Sequence, residues 1–448
     1  MRLNLAKAGI SAACAAALAI TCTAYTFAPA RASASAGGGT VRASTAGAVA
    51  PTPPSIPLRS LPSPTCTTAT APSSALKGVR TAMVSVHGSP FGVVAASTGR
   101  WAFVAVPGGV DVLRAGRSLA PAVVRTIRLA GGPAGLAITP DGRYLLAADG
   151  NGAVVISVDR AERGTAKAVI GTLSAPNRSP LNDDSAIEVA ISPNGQFAFV
   201  TLEYADTAVV FNLGKALRKS FGATDYVGSI PLGLAAVGMA VSPDGRWLYA
   251  TSELALPKHS PSVGQHGRLS ATSELAGVSA TVGQFGTLTV IDLRRAETRP
   301  ASSVVATVDA GCQPVRVITS ADGREVWVTA RASDDLLCFS AARLASDPAH
   351  ALVAVVRVGE APVGLAAVRG GSLIVVADSN RFGARGAIAD LDVVNVAAAL
   401  SGRRAVVGHI RSGLFPREMA LLRTGILLVS NYGSDQVEAV DVAGIPGR

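Results

Sequence analysis

Short apolar runs recur along this chain, broken at intervals by the same polar turn. One copy reads Ala134-Gly135-Leu136-Ala137-Ile138, then Thr139-Pro140-Asp141-Gly142, then Arg143-Tyr144-Leu145-Leu146-Ala147. The phrase returns as Val237 to Ala250 around Ser242-Pro243-Asp244-Gly245, as Glu188 to Val200 around Ser192-Pro193-Asn194-Gly195, and as Arg316 to Val328 around Ser320-Ala321-Asp322-Gly323. Degenerate copies surround Gly99, Gly371 and Gly425, which makes seven. Successive turn glycines lie 43, 53, 50, 78, 48 and 54 residues apart. Pro fixes φ and Gly accepts a positive one, so Pro-Asp-Gly between apolar runs predicts two strands joined by a tight turn.

A third run follows these hairpins, as in Val154 to Asp159, Val209 to Asn212, Leu288 to Asp292 and Val437 to Asp441. A fourth comes after it, as in Ala168 to Leu173 or Ala351 to Val358. Four strands repeated at this spacing are the signature of propeller blades. The last repeat stops after three strands, near Asp441, while an orphan strand, Ala82 to Val86, precedes the first. Pairing the two would close the ring and remove an exposed edge. The predicted fold is all-β, a single seven-bladed β-propeller over residues 77–446 with four antiparallel strands per blade; two smaller β domains are the alternative.

The repeats resemble the YVTN-repeat family of seven-bladed propellers and the related lactonase-like propellers. The resembling residues are the Ser-Pro-Asp-Gly turns with Phe199-Val200-Thr201, Val326-Trp327-Val328-Thr329 and Leu428-Val429-Ser430-Asn431, the Val290-Ile291-Asp292 type of third strand, and Phe415-Pro416-Arg417-Glu418-Met419-Ala420. The resemblance implies the propeller fold. Some relatives are lactone hydrolases, and others are thought to bind ligands or nucleic acid, but no catalytic set of the family falls on matching positions here.

Composition fits blades buried on both faces: 49% of residues are hydrophobic and only 16% charged, a load that excludes disorder for most of the chain. Arg2, Lys7 and an uncharged run from Ala8 to Ala30 read as an export signal within 1–36, with Ala28-Pro29-Ala30 and Ala34-Ser35-Ala36 as small-residue cleavage patterns. An uncleaved anchor is the alternative. Removing that segment takes three basic residues and no acid, so the net charge falls from +10 to +7. Residues 37–76, rich in Pro, Ser, Thr and Ala, read as a flexible stalk. An exported chain meets an oxidising compartment. Cys312 and Cys338 fall on non-adjacent strands, about 10 Å apart, beyond disulfide reach, so Cys66 is the expected partner of Cys312.

Function is written more faintly. The connections from second to third strands share a face with the channel mouth, and that face is the default binding surface. The long spacing in blade four places an insertion, 251–285, on it. This insertion carries a local duplication and is either a recognition flap or an expanded loop. Aligned at the start of the inner strands stand Gly92, Gly135, Glu188, Gly238, Arg316, Gly364 and Glu418. Glu188, Arg316 and Glu418 point to a polar ligand in the channel or to a structural ion pair. Further ligand candidates are Arg417, Asp378, Asn380, Arg381, Asn431 and Tyr432, with Asp149, Asn151, Glu203, Tyr204, Asp334 and Asp335 in equivalent turns, where turn chemistry alone also explains them. No haem, zinc, nucleophile-elbow or phosphate-loop motif appears, so neither cofactor nor metal is expected. The expectation is an exported, monomeric binding or scaffold module of the cell envelope, with a small molecule or envelope polymer as ligand and no integral membrane domain in the mature chain. A lactonase-type hydrolase is the alternative, and weak binding of nucleic acid or another anionic polymer through the basic excess is a second.

Overall fold

The computed structural model describes residues 66, 68, 70–71 and 73–447, apart from 117, 166, 178–182, 256–284 and 384–388. The expected export signal (1–36), most of the expected stalk (37–76) and most of the 251–285 insertion lie outside the described residues. Among the described residues twenty-eight strands form seven four-stranded antiparallel sheets. Strand β1 (Thr81–Ser85) comes first. Blade one is β2 (Val93–Ala95), β3 (Trp101–Val106), β4 (Gly109–Arg114) and β5 (Ala122–Arg128). Blade two is β6 (Leu136–Ile138), β7 (Tyr144–Asp149), β8 (Gly152–Ser157) and β9 (Val169–Ser174). Blade three is β10 (Ala186–Ile191), β11 (Ala198–Leu202), β12 (Thr207–Phe211) and β13 (Tyr226–Pro231). Blade four is β14 (Leu234–Val241), β15 (Trp247–Leu254), β16 (Phe285–Asp292) and β17 (Val304–Cys312). Blade five is β18 (Pro314–Thr319), β19 (Glu325–Ala330), β20 (Asp335–Ser340) and β21 (Leu352–Arg357). Blade six is β22 (Pro362–Val368), β23 (Leu373–Asp378), β24 (Asp390–Asn395) and β25 (Val406–Arg411). Blade seven is β26 (Pro416–Leu421), β27 (Ile426–Asn431) and β28 (Gln436–Asp441), completed by β1, whose Thr81 to Ser85 pair with Val440 to Gln436.

The recurring turn has a local cause. Thr139 Oγ1 donates to Asp141 Oδ1 at 2.5 Å, the same oxygen accepts from Arg143 N at 3.0 Å, and Tyr144 N donates back to Thr139 Oγ1 at 3.0 Å. Ser192 with Asn194, Ser242 with Asp244 and Ser320 with Asp322 repeat the hydroxyl bond. The following glycine sits at φ near +70°, for example Gly142 at +73°, a region costly for other residues.

The core is distributed around the ring. Seven apolar clusters each join two neighbouring blades, the last linking blade seven (Leu428, Val437, Ala439) to blade one (Val104, Leu113). Both faces of each sheet are thus buried, which is why the strands read as near-continuous apolar runs.

Two features depart from the sequence reading. The third run in blade two ends at Ser157, and Val158–Arg163 is a short helix, α1. Four more follow third strands: α2 (Leu213–Lys219), α3 (Leu293–Ala296), α4 (Ala341–Ser346) and α5 (Val396–Leu400). Each is capped by the side chain just before it: Ser157, Asn212, Asp292, Ser340 or Asn395. Chain preceding β1 is also held on the ring. Cys66 is bonded to Cys312, the expected pairing, with Cα atoms 5.4 Å apart; Cys312 and Cys338 are expected in one sheet, whereas Cys312 ends the outer strand of blade four and Cys338 lies in blade five. Ala71 N donates to Val358 O, and Leu76 and Ser74 exchange backbone hydrogen bonds with His409 on the outer strand of blade six.

Candidate functional site

The aligned inner-strand position organises the channel. Opposite it on each second strand stands Ala105, Ala148, Thr201, Thr251, Thr329, Ala377 or Ser430. The hydroxyls stitch neighbouring blades. Thr329 Oγ1 accepts from Arg316 N at 3.1 Å and donates to Val363 O of the next blade at 2.7 Å. Thr251 joins Gly238 N to Val315 O, and Ser430 joins Glu418 N to Phe91 O across the ring closure. Where alanine replaces the hydroxyl in blades one and two, Gly92 N and Gly135 N bond directly to Ala134 O and Ile187 O. A Cβ on Gly135 would lie 2.5 Å from Ile187 O and 2.9 Å from Glu188 Oε1, so glycine at this position leaves room for its charged neighbour.

Glu188, Arg316 and Glu418 come together, as the aligned column suggests. Arg316 Nε is paired with Glu418 Oε1 and lies 3.4 Å from Glu188 Oε2. Blades three, five and seven are not neighbours, so these contacts cross the propeller axis. The side chains of Arg316, Glu188 and Glu418 retain only 6%, 14% and 17% of their exposure. Arg316 Nη1 also donates to Val237 O at 3.3 Å, while Nη2 is buried without a partner. One guanidinium facing two carboxylates leaves an acid in surplus. Burial, with Glu418 close by and against the pull of Arg316, pushes the Glu188 carboxyl up to about 8. Burial works to lower the Arg316 pKa, but the two carboxylates outweigh it and hold that pKa above its ordinary value.

The residue just before the aligned position forms a second column: Phe91, Ala134, Ile187, Val237, Val315, Val363 and Arg417. Ile187, Val237, Val315 and Val363 pack together with Phe91 and Phe415. Coming from blades around the ring, they fill the channel with apolar side chains. Arg417 is the single polar member of that column. Its guanidinium lies 3.6 Å from the ring centre of Phe91, 5.6 Å from Phe415 and 5.7 Å from Tyr432. Phe415 and Tyr432 meet edge to face at 5.5 Å, and Arg381 lies 5.8 Å from the Phe415 ring. Arg417 Nε is buried without a partner. Burial, then the nearby Arg316 against the help of Glu418, pushes the Arg417 pKa down to about 9, with Arg331 and Arg381 adding to the repulsion. Phe415 itself is left-handed at φ 52°, as are Ser185, Ala235, Gln313 and Ala361 at the matching places in blades three to six. This bend before each inner strand turns the chain from the mouth into the channel.

Arg417, Arg381 and Tyr432 therefore gather at the mouth, with Glu188, Arg316 and Glu418 behind them. The remaining candidates hold their own blade or tie it to the connection with a neighbouring one. Asp378 packs beside Asp392, whose N donates to it at 3.2 Å, and burial with the Asp392 charge pushes its carboxyl well up. Asn380 is left-handed at φ 50° in the turn that follows. Asn431 accepts from Ser412 Oγ at 3.0 Å beside Glu438. Asn151 donates to Ala175 O, Glu203 accepts from Ser185 Oγ at 3.2 Å, and Asp334 accepts from Ala361 N at 2.9 Å. Asp335 faces Arg357 at 3.3 Å. Burial pushes Asp335 up to about 6 despite that arginine, and burial with Asp183 nearby raises Asp149. Tyr204 is exposed.

The sequence reading missed Phe91, and it missed the buried Arg331–Glu253 pair at 2.7 Å between blades five and four. The second column held the missing signal, since an arginine stands there among six apolar residues. On the opposite face a cleft of about 650 Å³ opens between the turns of blades two and three, bordered by Asp141, Arg143, Asn194 and Arg218. Its Asp141 and Asn194 are already occupied by turn hydrogen bonds. Among the described residues no three His, Cys, Asp or Glu are grouped to hold a metal ion, and no helix is long and apolar enough to cross a membrane.

No family model and no curated protein matches this sequence. Among solved structures it is similar to hydrazine synthase of Kuenenia stuttgartiensis, with a TM-score of 0.58, 16% identity, and coverage of 81% of this chain and 98% of that one. The likeness is one of fold alone.

Proposed function

We propose that this protein is an exported, monomeric binding module of the cell envelope, related to the YVTN-repeat and lactonase-like propellers, that takes its ligand at the channel mouth. The observation carrying this reading is the group formed by Arg417 with Phe91, Phe415 and Tyr432. Aromatic rings and a cation converging where the channel is otherwise apolar are the ingredients of a small-ligand site. The group lies on the face carrying the second-to-third strand connections, from which the chain leaves at Leu254 and returns at Phe285. A calorimetric screen of small metabolites and soluble envelope polymers tests it: a bound compound should lose at least tenfold in affinity in Phe91→Ala and Tyr432→Ala. A ligand whose affinity neither variant changes would remove the mouth as the site.

A hydrolase of the lactonase type is the second reading, favoured by the placing of Glu188, a buried carboxyl 3.4 Å from Arg316 whose burial pushes its pKa up to about 8, as suits a general acid. Hydrolysis of a lactone panel that disappears in Glu188→Gln would establish it over simple binding.

A further inference from the structure

Among the described residues Arg417 forms no ion pair, and Glu418, the acid that attracts it, is already engaged by Arg316. Arg316 has Glu418 and Glu188, and Arg331 has Glu253. Arg417 has rings around it, a buried Nε without a partner, and Arg316, Arg331 and Arg381 close enough to repel it. Arg316, only 5% exposed, likewise keeps Nη2 unpartnered. Burying a cation without a counter-charge is costly, and an anion arriving there recovers that cost. Guanidinium N–H groups match the oxygens of carboxylates and phosphates.

We infer that the ligand of the channel mouth is a small anion, a carboxylate or an oxoanion, held by Nε of Arg417 with Nη2 of Arg316 as a second donor, its apolar part against Phe91, Phe415 and Tyr432. This rests on the channel-mouth reading above and names the ligand class. It also makes binding sensitive to protons. The charged groups facing Glu188 are Arg316, Glu418 and Arg417; those facing Arg417 are Arg316, Glu418, Arg331 and Arg381. At pH 7 Glu188 is neutral, and the positive field at the mouth is full. As pH rises through about 8 Glu188 becomes a second local anion. Affinity for an anion therefore falls across that rise.

Titration calorimetry on the full-length protein tests this with benzoate, inorganic phosphate and the neutral isostere benzamide. At pH 7 benzoate or phosphate should bind at least tenfold more tightly than benzamide, and the tighter of the two separates the carboxylate from the oxoanion source. Arg417→Met should weaken the anion at least tenfold while raising the melting temperature, because it removes a buried charge that has no ion pair of its own. A purely structural arginine would lower it. Glu188→Gln should retain at pH 8.5 the affinity that the unsubstituted protein loses, and this arm stands even if Arg417→Met does not fold. Benzamide binding as tightly as benzoate, with loss in Phe91→Ala, would overturn the anion assignment and leave the mouth as a binding site. Folded Arg417→Met that binds benzoate unchanged would overturn it as well. Failure of all three probes, when a screened compound still binds through Phe91 and Tyr432, would overturn this inference alone.

Discussion

Thr329 ties two blades together with one hydroxyl, accepting from Arg316 N and donating to Val363 O. Thr329→Val keeps the shape and strands both groups. Each buried orphan costs about 1–3 kcal/mol, so chemical denaturation should show a loss of about 2 kcal/mol or more. Arg316→Leu should cost more, about 3–5 kcal/mol, because it leaves Glu418 buried without its cation, whereas Glu188→Gln at pH 6 replaces a neutral acid by a neutral amide and should cost little. Glu188 also sets a pH dependence. Its carboxyl binds a proton more tightly folded than unfolded between about pH 4.5 and 8, so stability falls as pH rises through that window. Asp335 and Asp392, both pushed up to about 6 chiefly by burial, add to the same slope. Melting temperature should decline from pH 5 to 8, and Glu188→Gln should flatten the upper part of that decline. A melting temperature that rises across this range would show that these acids are ionised in the folded protein. The Glu188–Arg316–Glu418 group was legible because three charges interrupt a column of glycines. Phe91 was not, because a phenylalanine next to a glycine reads as ordinary core until the adjacent column is aligned.

The hairpins were readable element by element, since Ser or Thr, Asp or Asn and Gly at fixed offsets dictate one turn. The helices after the third strands were not. A helix of six residues such as α1 shows too little 3.6-residue periodicity to stand out, and its cap Ser157 continues the extended run of β8. Ser157→Ala should cost about 1 kcal/mol, measurable by denaturation, without moving ligand binding. Strand β1 belongs to this scale too. Deleting Thr81–Ser85 exposes the edge of β28, and unpaired edges recruit other chains. Size-exclusion chromatography should show oligomers or aggregate where the complete chain elutes as one species.

Across the whole molecule, seven apolar interfaces with no break make the ring cooperative. The segment from Cys66 to Leu76 adds ties outside it, joined to Cys312, Val358 and His409. Cys66→Ser removes the covalent tie, and a loss of about 2–4 kcal/mol is expected, while ring assembly through β1 survives. The number of blades and their closure followed from counting strands in the sequence. The complete mouth did not, because Phe91 lies more than 300 residues before Phe415, Arg417 and Tyr432 along the chain and meets them only when blade seven closes on blade one. A crystallographic fragment screen addresses the mouth most directly. Bound fragments should gather against Arg417, Phe91 and Tyr432, with acidic ones directed at the guanidinium. Fragments found in the cleft between the turns of blades two and three, with the mouth empty throughout, would contradict the assignment of the site.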